Sequence, residues 1–272
     1  MDGGVIRLDR KILRILLILL VIPVASASFI RMTTNIYLEP VVHGTSTTVN
    51  VSVVNSGDEP AHDVELSLVL PEGFSSNKVY LGNMQPNLEY NANFHVNITP
   101  GAKSGRYPLI LKLHYADANA YPFSVVSPSF LMYEESTPIM VRGFMSEITL
   151  GTEGEREMRL KMSNLDSKAH AVRVRMVTPD EIKVDPRDSE IPLGGNEEKE
   201  VLYKIKSFGA LAESSYVIFA TMEYDDSLHY SSLANGMVKV VSGGQSSVVP
   251  SWLPFAAVVI LIALLIYYQL KK

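Results

Sequence analysis

The stretch VNVSVVNSGDEPAHDVELSLVLPEGF, Val49 to Phe74, decides the fold. Val49, Val51 and Val53 alternate with Asn50 and Ser52. Asn55-Ser56-Gly57-Asp58-Glu59-Pro60 then supplies turn chemistry. Val64, Leu66, Leu68 and Leu70 face one way while Asp63, Glu65 and Ser67 face the other, and Pro71-Glu72-Gly73 closes the run. Period-two alternation with one polar side marks antiparallel strands packed on one face. The same pattern continues outward. Phe94, Val96 and Ile98 alternate with His95 and Asn97, and Tyr107, Leu109, Leu111, Leu113 and Tyr115 form a further apolar face.

The chain then repeats itself. Asn55 matches Asn164, Asn87 matches Asn196 and Phe94 matches Tyr203, each at one offset (164 − 55 = 109). Tyr107, Tyr115 and Tyr121 match Tyr216, Tyr224 and Tyr230 at that offset; Val64/Val172 and Pro71/Pro179 match at one residue less (172 − 64 = 108). A fixed offset over this length implies one module duplicated in tandem. About seven short strands per module, with no helical period, predict an immunoglobulin-like β-sandwich. Tyr107 and Tyr216 sit where a tyrosine corner would, which assigns them to stability. The expected fold is all-β: two tandem immunoglobulin-like β-sandwich domains, residues 28–135 and 138–242, with their seam near Glu134-Glu135-Ser136-Thr137-Pro138, plus one C-terminal transmembrane helix.

Both ends of the chain speak of a membrane. Leu253 to Ile266 is uncharged and apolar, flanked by Trp252, Tyr267, Tyr268 and the terminal Lys271 and Lys272. Trp252 to Tyr268 as a helix measures roughly 25 Å, near the lower limit for a hydrocarbon core of about 30 Å. Aromatic residues prefer the headgroup level and lysines the cytoplasmic side. Residues 251–269 are therefore expected to be a transmembrane helix, preceded by a flexible linker at 243–250. Arg7, Arg10, Lys11 and Arg14 precede the apolar run Ile15 to Ile22 and the small residues Ala25-Ser26-Ala27, the pattern of a signal peptide over residues 1–27. The rival reading is an uncleaved N-terminal anchor. Either way the middle of the chain is translocated, which predicts a single-pass plasma-membrane protein with extracytoplasmic domains. The short linker predicts that the second domain sits close to the bilayer and the first projects beyond it.

Of 24 basic residues, six lie in the leader and tail, and of 29 acidic ones only Asp2 and Asp9 do; the translocated part carries 18 against 27, a net of −9. That charge repels phosphate backbones, so nucleic acid is an unsuitable partner. The absence of cysteine removes thiol catalysis and Cys-ligated metals, and points to a prokaryotic, archaeal-type surface.

The run Val49 to Phe74 resembles the cell-adhesion-related domain of bacteria and archaea (CARDB), and equally the related immunoglobulin-like modules of archaeal S-layer-type surface proteins and of bacterial glycosidases. Asn55, Gly57, Ala61, Val64, Pro71 and Gly73 carry the resemblance; the second copy keeps Asn164, Ala169, Val172 and Pro179 but has Asp166 and Glu181 where glycines are expected. It implies non-catalytic spacers, adhesion units or accessory domains. The motif residues build the fold: Asn55 caps a turn, Gly57 supplies positive φ and Pro71 ends a strand.

No nucleophile elbow, HExxH or phosphate-binding glycine loop occurs. His62 and His170 hold equivalent places, read as polar residues entering a strand rather than a repeated metal site, since no second ligand is close in sequence. Asp225, Asp226 and His229 read as turn chemistry, and Glu197, Glu198 and Glu200 with Lys199 as a solvated hairpin. The expectation is no catalytic residue, no metal and no cofactor. Asn50-Val51-Ser52 and Asn97-Ile98-Thr99 are candidate glycosylation acceptors, both on the outward side of their strands; Pro100 works against the second. Two functional classes follow. One is a surface stalk or adhesion module that contacts envelope proteins or glycans. The other is an accessory subunit of a membrane transport or secretion complex.

Overall fold

The alternating runs around Val49 and Val64 are strands. The computed structural model describes residues 29–242, so the leader segment 1–27, the linker 243–250 and the apolar segment 251–269 lie outside the described residues. Among the described residues the regular structure is all β, and no helix is long and apolar enough to cross a membrane. The first half contributes β1 (Met32–Tyr37), β2 (Ser46–Asn55), β3 (Ala61–Val69), β4 (Phe74–Ser76), β5 (Val79–Met84), β6 (Glu89–Ile98), β7 (Gly105–Ala116) and β8 (Pro122–Tyr133). The second contributes β9 (Val141–Met145), β10 (Ile148–Gly151), β11 (Glu155–Asn164), β12 (His170–Val177), β13 (Ile182–Asp185), β14 (Asp188–Leu193), β15 (Glu198–Ser207), β16 (Ser214–Asp225) and β17 (His229–Val241).

These strands form three hydrogen-bonded sheets, one of which has nine strands and passes through both halves where β17 meets β7. In the first half β1-β2-β6-β4 faces β5-β3-β7, with β8 beside β7. In the second, β14-β12-β16-β17, with β10 beside β17, faces β13-β15-β11-β9. Val49, Val51, Val53, Phe94 and Val96 meet Val64, Leu66, Leu109 and Leu111 in one core. Met158, Leu160, Tyr203 and Ile205 meet Val172, Val174, Ile218 and Met222 in the other. Each such side chain contributes about 1.5–3 kcal/mol by leaving water.

The duplication is visible in the geometry. Asn55 and Asn164 are both buried, and each donates from Nδ2 to the carbonyl four residues on, Glu59 at 2.7 Å and Lys168 at 2.8 Å. Each also accepts at Oδ1 from the amide two residues on, an Asx turn. Asn87 and Asn196 hold left-handed conformations at φ 60° and 57° in equivalent turns, a region asparagine tolerates better than most residues. Tyr107 donates its hydroxyl to the Lys103 carbonyl at 2.7 Å, and Tyr216 accepts from the Leu211 amide at 3.3 Å, so both rings bury their bodies and satisfy their oxygens locally.

Two expectations are corrected. Gly57 does not take positive φ; a Cβ there would meet the Phe29 carbonyl oxygen at 2.1 Å, so the glycine is required by the close approach of the chain entering β1. The second concerns β7 and β16, expected to show one polar, solvated side. From Tyr107 to Leu111 and from Ile218 to Tyr224 every residue is buried, because both faces of these strands are covered. Ile110, Val126, Val177 and Phe219, from β7, β8, β12 and β16, form a third apolar cluster with Val69 and Leu233 packed against it. The portions of the nine-stranded sheet around β7 and around β16 thus pack face to face through this cluster, and the two halves stand side by side.

Candidate functional site at the junction of the two halves

Around the small apolar cluster the junction is polar, and its two ends carry different chemistry. At the first end Ser124 of β8 donates to Glu181 through its amide and its hydroxyl, each at 2.8 Å, and its Oγ accepts from the Asp180 amide at 2.6 Å. Glu181 is 6% exposed, at the position where the second copy departs from glycine. Its equivalent Gly73 has φ +85°; both copies close this turn alike, Phe74 to the Pro71 carbonyl at 3.2 Å and Ile182 to the Pro179 carbonyl at 3.1 Å, and the second adds a carboxylate that crosses the junction. Beside it Lys112 bonds Asp180, and His114 Nδ1 lies 3.2 Å from the same carboxylate. Burial raises the Asp180 carboxyl, but the Lys112 hydrogen bond and charge outweigh it and hold it below its ordinary value. Burial lowers His114 despite Asp180. Tyr121, in the turn after β7, donates to the Gly209 carbonyl at 2.5 Å.

At the other end the residues read as turn chemistry form a cluster. Gly105 and His229 pair in a single parallel bridge, the backbone link between the sheets, and a Cβ on Gly105 would meet the His229 carbonyl at 2.1 Å. The His229 ring stacks on Tyr107 with centroids 3.9 Å apart and planes 5° apart. Its Nδ1 lies 2.8 Å from Asp225 Oδ1, and its Nε2 lies 3.3 Å from Glu223 Oε2 without an aligned hydrogen bond. Arg173 donates to Asp225 at 2.9 Å, and Lys103 reaches the Asp226 carbonyl at 2.9 Å. Burial, with the negative charges of Asp225 and Glu223, pushes the Tyr107 hydroxyl up to about 12. A cleft of about 640 Å³ opens beside this cluster, between the loop Thr99–Lys103 and strands β12 and β14. Its two arginines are already matched, Arg175 with Asp188 at 2.7 Å and Arg173 with Asp225, while Lys103 is held by the Asp226 carbonyl. The tyrosine hydroxyl and the imidazole Nδ1 are also engaged, each within its own half, and the stacking of the two rings is what joins the halves here.

The remaining sequence candidates stay apart. His170 is bound to Asp166 at 3.0 Å and stacked on Tyr224, whereas His62 stands opposite Ala116 on β3 of the first half. Among the described residues no three His, Asp or Glu side chains converge as a metal site. Glu198 and Glu200 pair across strands with Lys161 at 2.6 Å and Arg159 at 3.4 Å. Asn50 and Asn97 are exposed on β2 and β6. The junction itself escaped sequence reasoning; the glutamate in a glycine position at 181 was its one visible signal.

Residues 41–116 match the family model of the NPCBM-associated, NEW3 domain of alpha-galactosidase. The match covers the CARDB-like stretch and agrees with the glycosidase-type modules of that resemblance. Among solved structures the chain is similar to the secreted serine protease VesC from Vibrio cholerae, at 11% identity over 71% of this chain and 50% of that chain, TM-score 0.30. It is also similar to E. coli alpha-2-macroglobulin, at 8% identity over 78% and 17%, TM-score 0.32. A third is the seventh ScaB type I cohesin from Pseudobacteroides cellulosolvens, at 12% identity over 40% and 97%, TM-score 0.29. The chain thus spans half or less of the first two. A search of curated proteins gives no match.

Proposed function

We propose that this chain is a non-catalytic interaction module. In this reading a pair of duplicated immunoglobulin-like sandwiches is held outside the plasma membrane by a single C-terminal span. One observation carries the reading. The junction commits Glu181, Ser124, Tyr107 and His229 to joining the halves into one body, which leaves strand surfaces, rather than a reactive pocket, to meet a partner. The match of residues 41–116 to a glycosidase-associated domain supports an accessory role. Envelope proteins or glycans are the partners proposed, with Asn50 and Asn97 open to glycosylation.

The second reading, an accessory subunit of a transport or secretion complex, is favoured by Val217 and Met237. They pair across β16 and β17, each 38% exposed, near the end of the described chain. Crosslinking in native membranes followed by purification tests both. Recovery of envelope or surface components supports the first reading, and recovery of an integral membrane complex lost on Met237→Glu supports the second. Protease added to intact cells is expected to remove the body and leave a small C-terminal fragment; full protection overturns the anchored, outward-facing reading.

A further inference from the structure

Both ends of the described chain leave from one pole of the molecule. The Phe29 amide donates to Asp58 Oδ1 at 2.7 Å, and the Asp58 amide returns to the Phe29 carbonyl at 3.0 Å. The Ala118 amide in the turn after β7 donates to Glu59 Oε1 at 3.2 Å, and Tyr121 of the same turn reaches Gly209 of the second half. Four residues on, the Glu213 amide bonds the Val240 carbonyl at 2.7 Å, and its carboxylate accepts from Ser242. Phe29 and Ser242 therefore stand at the same end, while Gly105, His229 and Thr137, whose hydroxyl donates to the His229 carbonyl at 3.1 Å, stand at the other. The two poles are separated by the length of β16, 12 residues, or about 40 Å at ~3.3 Å per residue.

The exit pole is also unusually apolar for solvent-exposed loops. Phe29 is 52% exposed, Leu88 53%, Phe208 63%, Leu211 39% and Val241 40%. Single exposed apolar residues need no explanation, but these share one pole with the point from which the chain continues. Fully extended, the ten residue steps from Ser242 to Trp252 reach at most about 36 Å. The far pole is further away than that.

We propose that this pole is a lipid-contacting surface, seated on zwitterionic headgroups of the membrane that holds the C-terminal segment. The inference rests on the anchored reading above. Phe29, Leu88, Phe208 and Leu211 then lie at the headgroup level, where aromatic and aliphatic side chains gain by partial burial. At this pole Asp58, Asp117, Glu153 and Glu213 outnumber Arg31 and Lys183, the latter with its ammonium 5.0 Å from the centre of the Phe208 ring, and the acidic excess disfavours an anionic lipid surface. Side-by-side packing brings the first half down to the membrane through Leu88 and Phe29, in place of the stacked stalk expected from the order of the chain.

The chain has no cysteine, so single cysteines can be placed without background. The full chain, labelled with a fluorophore at Leu88→Cys or Leu211→Cys, is reconstituted into phosphatidylcholine vesicles containing a lipid with a nitroxide near the headgroup. Ile139→Cys and Leu165→Cys, exposed at the far pole, serve as controls. Vesicle flotation after carbonate washing first establishes anchoring. The expected result is loss of emission at Leu88 and Leu211 and none at Ile139 and Leu165. An anchored chain that shows no quenching at Leu88 and Leu211, or equal quenching at both poles, overturns the lipid-contacting pole alone. A chain that is washed off overturns the anchored reading and this inference with it.

Discussion

Glu181 of the second half accepts two hydrogen bonds from Ser124 of the first, from its amide and from its hydroxyl, each at 2.8 Å. A buried carboxylate is tolerated only when its oxygens are satisfied, and here the partner lies across the junction. Glu181→Ala leaves the Ser124 amide and hydroxyl without acceptors in a buried place and is expected to cost about 2–4 kcal/mol. Ser124→Ala removes the hydroxyl bond to Glu181 and also the acceptor of the Asp180 amide, and is expected to cost a similar amount. A double-mutant cycle by chemical denaturation checks the pair: coupling well above zero is expected, and additive losses would show that the contact contributes nothing across the junction.

Tyr107 bears on two contacts, its hydroxyl on Lys103 and its ring on His229. Tyr107→Phe keeps the stacking and loses one hydrogen bond, at a cost of about 1–2 kcal/mol. Tyr107→Ala loses both and is expected to cost about 3–5 kcal/mol. Thermal unfolding of the full chain in detergent reads the difference; equal melting temperatures for the two variants would place the ring outside the packing.

Stability should fall at both extremes of pH. His114 is lowered by burial, so the unfolded chain binds its proton first. Its contribution is complete above the unfolded value near 6.5 and declines as pH falls below it. Asp180 is also lowered, and its contribution is present above the unfolded value near 3.9 and lost as pH falls through the folded one. On the alkaline side Tyr107 and Tyr115 are raised to about 12, so the unfolded chain ionises first and stability declines as pH rises from about 10. Melting temperature against pH checks this: Tyr107→Phe should flatten the alkaline limb and His114→Gln the limb below pH 6.5.

Gly57 and Gly44 separate two reasons for glycine. At Gly57 an added Cβ meets backbone at 2.1 Å, whereas Gly44, at φ +81°, has open space around it. Gly44→Ala is expected to cost about 1 kcal/mol through its conformation alone. Gly57→Ala should cost more, about 2–4 kcal/mol, by pushing the chain before β1 away. A melting temperature for Gly57→Ala no lower than for Gly44→Ala would contradict the close approach.

Much of the fold was legible because one face of each strand repeats with period two: Val49, Val51 and Val53 point to the core, as do Phe94, Val96 and Ile98. The shared offset was legible because Asn55 and Asn164 solve the same turn with the same side chain. The junction was not legible, because its contacts join residues far apart in the chain and mix charged groups with a few apolar side chains. His114 and Lys112 look like a solvated face until Asp180 is brought against them. His229 with Asp225 has the spacing of an ordinary turn, and only the stacking on Tyr107 shows that this turn belongs to two halves at once. Glu181 did carry a signal, a charged residue where the module favours glycine.

Calorimetry of the full chain tests the face-to-face junction most directly, with Phe219→Asp as the perturbation. Phe219 belongs to the apolar cluster between the halves and to neither of the two main cores. The native chain is expected to unfold in a single cooperative transition, and Phe219→Asp should split it in two by uncoupling the halves. Two independent transitions in the native chain, unmoved by Phe219→Asp, would contradict the account.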